Sequence, residues 1–138
     1  MSVLVLSLIT LVLWGVTPLF EKSALERTVP LTAVAIRACV MAVAYVGIAV
    51  ATGAGAVLVQ VDGRSLLYIL LSSLLGGVFG LLTYFHALKA GDAAVVVPIT
   101  AGYPLVTALL AAVFLQEPIT LARVLGAALI VTGIYLVR

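Results

Sequence analysis

The side chains best suited to holding a small ligand gather around two prolines. Residues 98–104 read Pro98-Ile99-Thr100-Ala101-Gly102-Tyr103-Pro104, and Thr107 follows one turn later. On a helix, side chains three or four apart lie together, which puts Thr100, Tyr103, Pro104 and Thr107 on one face. Two other stretches carry similar stripes. In the first, Ser7, Thr10, Trp14 and Thr17 recur at steps of three and four, and Glu21 continues the line. In the second, Ser73, Gly76, Gly77, Gly80, Thr83 and Tyr84 do the same. Hydroxyls and aromatic rings bind by hydrogen bonding and stacking, which suits neutral or zwitterionic molecules better than strong ions. Catalysis finds no comparable set. His86 and Cys39 are the single histidine and the single cysteine, and they lie in different apolar runs. No metal-ligand spacing, phosphate loop or nucleophile elbow is present, so an enzyme, a cofactor and a metal are not expected.

The prolines have chemistry of their own. Pro104 cannot donate to the carbonyl of Thr100, and Pro98 leaves the carbonyl of Ala94 free. Proline inside a helix costs ~3 kcal/mol. In a bilayer, non-helical backbone is tolerated where it is buried in protein or lines a wet cavity. Broken helices near the midplane recur at transporter binding sites. A static kink that improves packing is the other reading of Pro98 and Pro104. The hydroxyls and Tyr103 on the same helix favour a cavity wall.

The elements that must position these residues are membrane helices. The chain has 138 residues, 65% of them hydrophobic and only 9% charged. Its mean hydropathy is +1.39. Soluble domains carry roughly 25% charged residues, so the natural solvent here is lipid. A net charge of +2 with no basic cluster excludes a nucleic-acid partner. No Lys or Arg precedes the first apolar run, so it reads as a permanent span and not a cleaved leader. A membrane helix needs about 20 mostly apolar residues. Five runs qualify, approximately 3–20, 31–52, 66–88, 93–115 and 121–137. Asp92 and Thr120 are placed to cap the last two. The loops are short, so the expectation is an all-α polytopic membrane protein forming a single unit over residues 1–138.

Five spans put the termini on opposite sides. One side holds Arg64 and Arg123; the other holds Lys22, Arg27, Lys89 and Arg138, and Arg37 would join them. This weak bias fits either an external N-terminus or insertion in both directions. The five acidic residues, Glu21, Glu26, Asp62, Asp92 and Glu117, all fall at expected span ends or in loops. Direct proton coupling through a mid-membrane carboxylate is therefore not expected. Arg37 lies about 10 Å into the second span. It would snorkel to the interface or pair with Glu21. His86 reads as interfacial.

Helix packing explains small-residue stripes without any ligand. It is the better reading for Gly76, Gly77 and Gly80. It also fits Ala122, Gly126 and Gly133 of the last span, a contact surface between subunits. It does not require Trp14 or Tyr103.

The joined pattern resembles the EamA-like domain of the drug/metabolite transporter superfamily. The pieces are Trp14-Gly15 with Pro18, PLTAVAIRA over 30–38, TYFHALKAGDAAVVVPI over 83–99 and YPLVTALLAAVFLQEPIT over 103–120. Gly126 and Gly133 complete it. The resemblance implies one half of an inverted-repeat, ten-helix transporter that works by alternating access. An antiparallel dual-topology homodimer would rebuild the ten helices. Relatives line the central cavity with the first, third and fourth helices of each half. By that likeness Trp14, Tyr84, Thr100, Tyr103 and Thr107 become substrate-cavity candidates. Arg37, Glu21 and Glu117 become structural charges. The expected partners are the lipid bilayer, a second copy and a small amino-acid-like substrate. The expected location is a bacterial or archaeal cytoplasmic membrane. An accessory membrane subunit that moves nothing, and a translocator of lipid headgroups or lipid-linked sugars, are the alternatives.

Overall fold

The computed structural model describes residues 2–55, 60–116, 118 and 120–137. Among these every regular element is helical. Helix α1 spans Val3–Leu25, α2 Pro30–Ala51 and α3 Gly63–Ala90. Helix α4 spans Ala93–Phe114 and α5 Leu121–Val137. The first four are long and apolar enough to cross a membrane; α5 has 17 residues. At 1.5 Å per residue α5 is about 25 Å long, a little short of a ~30 Å hydrocarbon core.

Helix boundaries follow local chemistry. Ser2 accepts the Val5 amide at 3.4 Å and starts α1. Pro30 opens α2, where its missing N–H would be unpaired anyway. Gly53, at φ 71°, ends α2 in the left-handed conformation that glycine adopts without a Cβ penalty. Asp62 accepts the Ser65 amide at 3.0 Å and starts α3 three residues before the expected 66. Thr120 accepts the Arg123 amide at 3.3 Å, as its position predicts. Asp92 corrects the expectation. It occupies the capping position of α4, but its side chain makes no cap bond.

Three larger departures matter. Helix α1 continues to Leu25 and not residue 20, so Glu21 and Lys22 lie inside it. Helix α3 is α-helical over Gly63–Ser72, π-helical over Ser73–Gly80 and α-helical again over Leu81–Ala90. Helix α4 breaks into α4a, Ala93–Thr100, and α4b, Tyr103–Phe114.

The chain forms two compact units, Met1–Lys89 and Ala90–Arg138. In the first, burial concentrates at one end of the helices. Pro18, Glu21, Leu25, Pro30, Phe85 and Leu88 are buried there, Leu88 completely. Residues 3–16 of α1 and 63–80 of α3 are exposed throughout. In the second unit α5 packs on α4a. Gly102 is buried at the break in α4. A Cβ there would stand 2.7 Å from Ile134 Cδ1, the end of a flexible side chain, and 3.1 Å from the Ile99 oxygen, so glycine lets α5 approach without moving Ile134.

Candidate functional site

The ends of α1, α2 and α3 are tied by charge. Glu21, 9% exposed, pairs with the guanidinium of Arg37 across α1 and α2. Of the two expectations for Arg37, the pairing with Glu21 is the one seen. Glu21 stays near a span end, as expected, but lies inside the helix and not at its boundary. The extra turn of α1 carries it inward. The same guanidinium lies 6.0 Å from the centroid of the Phe85 ring in α3. This is within reach of a cation–π contact. Tyr84 meets Phe85 edge-on, with centroids 5.9 Å apart at 71°. Tyr84 is half-buried.

Two lysines complete the clamp. Lys22 donates to the Leu88 oxygen at 2.7 Å, and Lys89 donates to the Thr28 oxygen at 2.6 Å. Leu88 lies in the last turn of α3, whose carbonyls have no partners within the helix and are commonly supplied by basic side chains; Thr28 lies in the α1–α2 loop. Neither lysine stands out in the sequence. The signal was their common position near a helix end, with too few charges elsewhere to compete.

The polar stripes look different once bonded. Ser7, Thr10, Thr17, Ser73, Thr83, Thr100 and Thr107 all bond to the carbonyl four residues back. This satisfies the hydroxyl proton inside the helix. Thr100 and Thr107 therefore offer a ligand acceptor lone pairs and not a free donor. The aromatic groups differ. Trp14 is 66% and Tyr103 59% exposed, and neither side chain has a hydrogen-bond partner among the described residues. The indole N–H and the phenol O–H are the donors left for a ligand.

The five cavity candidates divide between the units. Trp14 and Tyr84 belong to the first, with Trp14 one turn before Pro18. Thr100, Tyr103 and Thr107 belong to the second. Thr100 ends α4a, and Tyr103 and Thr107 begin α4b. The break between them, at Ala101 and Gly102, lies where Pro98 and Pro104 predict irregular backbone. His86 bonds through Nδ1 to the Leu82 oxygen at 2.8 Å, which occupies one ring nitrogen. Glu117 lies outside the described residues. Ala122, Gly126 and Gly133 share one face of α5, and a Cβ at either glycine would meet nothing within 4 Å. Among the described residues no three His, Cys, Asp or Glu side chains could share a metal.

At the far end of α3, hydrogen bonds from the Ser65 hydroxyl and then the Ser65 amide hold the Asp62 carboxyl below its usual value. Arg64 lies over Tyr68, 5.7 Å from its centroid, as an interfacial basic residue does.

Comparison with known proteins agrees with this architecture. The model of the EamA-like transporter family matches residues 1–138. An uncharacterized protein of Methanocaldococcus jannaschii is 30% identical over 141 residues, covering 98% of this chain and 95% of its own. An uncharacterized transporter from the cobO 3′ region of a Sinorhizobium species is 34% identical over 119 residues, 86% of this chain and 84% of that one. No solved structure matches. Four membrane-length apolar helices and a fifth shorter one make this an integral protein of a prokaryotic membrane. With the family match running from end to end, the chain belongs to the EamA-like transporter family.

Proposed function

We propose that this chain is a transporter subunit that moves a small neutral or zwitterionic, amino-acid-like metabolite by alternating access. It works as an antiparallel dual-topology homodimer. The observation that carries the substrate class is the break in α4. There the exposed Tyr103 phenol stands beside backbone that two prolines have freed from the helix ladder. Trp14 supplies a second uncharged donor. No charged side chain of the described residues lies between Ala93 and Leu115, which suits a ligand without strong net charge. Trp14, Tyr84, Thr100, Tyr103 and Thr107 line the pathway in this reading, and Ala122, Gly126 and Gly133 contact the second copy. The dimer is supported by the weak difference in basic residues between the two sides, which suits insertion in both directions.

The test is flux through purified protein in liposomes, offered a labelled amino-acid mixture. Uptake that Tyr103→Phe lowers at least tenfold is expected, with the variant still folded. Absence of flux from the purified chain points to the accessory-subunit reading. Reporter fusions at the C-terminus test the dimer. Comparable activity from a cytoplasmic and an extracytoplasmic reporter is expected, and activity on one side alone removes dual topology.

A further inference from the structure

The backbone of α3 holds one residue more than an α-helix would. Ser73 donates to the Ile69 oxygen, four residues back. Leu81 donates to the Gly76 oxygen, five residues back. Between these two bonds the donor advances eight residues and the acceptor seven. The π segment Ser73–Gly80 absorbs the difference.

The amino-acid pattern of the same segment obeys the other register. At 100° per residue, Ser73, Gly76, Gly77, Gly80, Thr83 and Tyr84 fall within roughly 120° of one another, a single face. With one extra residue in between, Ser73 is turned by about 100° from Thr83 and Tyr84. Sequence and structure thus specify different phases for the same helix.

The two parts of α3 are held very differently. Leu81–Ala90 is fixed by the buried Phe85 and Leu88, by Lys22 on the Leu88 oxygen and by Lys89 on the Thr28 oxygen. Gly63–Gly80 is exposed along its length. A Cβ at Gly76 or Gly77 would meet nothing within 4 Å, whereas one at Gly80 would stand 3.0 Å from the Leu75 oxygen, five residues back. That contact belongs to the wide turn and makes glycine the residue that permits it.

We infer that α3 is a one-residue register switch. It exchanges between the π form described here and a continuous α-helix, turning Gly63–Ser72 by about 100° against the clamped Leu81–Ala90. In the α form the stripe from Ser73 to Tyr84 becomes one uninterrupted face. The use of this rotation to change what α3 presents to a pathway rests on the transport function proposed above; the rotation itself does not.

The experiment places nitroxide labels singly at residues 66–72 in a Cys39→Ser background, in liposomes. Accessibility to oxygen and to a water-soluble paramagnet then gives the phase of the helix. Two components whose lipid-facing arcs differ by about 100° are expected in the wild-type chain. Gly80→Ala should shift the populations severalfold toward the α component. Deleting Gly77 should leave only the component with the phase of the π form, because the shortened α-helix holds Gly63–Ser72 at that angle to Leu81–Ala90. A single component with one fixed phase in the wild-type chain overturns the inference, and so does a Gly80→Ala variant with unchanged populations. Flux is measured separately on the same proteins. Its absence would end the transport reading and leave the two registers standing.

Discussion

The Lys22 ammonium donates to the Leu88 carbonyl oxygen at 2.7 Å, across 66 residues of sequence. The bond is returned a few residues away, where Lys89 reaches the Thr28 oxygen at 2.6 Å. Lys22 satisfies a carbonyl at the negative end of α3, and Lys89 one in the loop between α1 and α2. Lys22→Met keeps the apolar stem and removes the donor. A net loss of about 1–2 kcal/mol is expected, as for a hydrogen bond to a charged group. Lys89→Met should cost a similar amount. Unfolding by denaturant in detergent micelles measures both; unchanged stability in the two variants would show that the clamp holds nothing.

The Glu21–Arg37 pair is expected to be asymmetric toward mutation. Breaking a fully buried pair costs ~3–5 kcal/mol because one charge is left stranded. The Arg37 side chain is 35% exposed and that of Glu21 10%, so solvent screens part of this. Arg37→Met should therefore cost about 2 kcal/mol, below the fully buried range. Replacing both residues with methionine should recover most of that loss. A double-mutant cycle reads the coupling, and additive losses would mean the pair is not an energetic unit.

Gly102 faces Ile134 so closely that a methyl group would displace the end of that side chain. Gly102→Ala places a carbon 2.7 Å from Ile134 Cδ1. Because the end of Ile134 can turn aside, the loss should lie at the low end of the overpacking range, about 1 kcal/mol. Adding Ile134→Val removes the clashing atom and should restore much of the loss. If Gly102→Ala alone melts like the wild-type chain, the approach of α4 to α5 is looser than these distances.

Asp62 gives a pH prediction with a definite sign. Its folded value is depressed, so the cap contributes fully above the ordinary value of 3.8 and is lost as pH falls through the lower folded value. Amide protection at Ser65 and Leu66 should be constant from neutral pH down to about 4 and then decline. Asp62→Asn keeps an acceptor at the cap and should abolish the dependence. Protection that varies near neutral pH would assign the effect to another group.

The sequence by itself determined the lipid environment, the helical class and the number of apolar segments. These depend on composition and run length, which any fold of the chain must respect. It also marked the break in α4, because Pro98 and Pro104 remove backbone donors wherever they lie. The cap at Thr120 is local in the same sense, although Asp92 shows that the right residue at the right place need not bond. Tertiary structure decided the rest. Glu21 lies inside α1 because Arg37, from another helix, offers a partner that makes its burial tolerable. Lys22 and Lys89 became cross-chain caps because α3 ends beside the α1–α2 loop, and no spacing along the chain encodes that contact. The π turn in α3 was invisible for a further reason. Periodicity assumes 3.6 residues per turn throughout, and Ser73–Gly80 departs from it with glycines that satisfy either register.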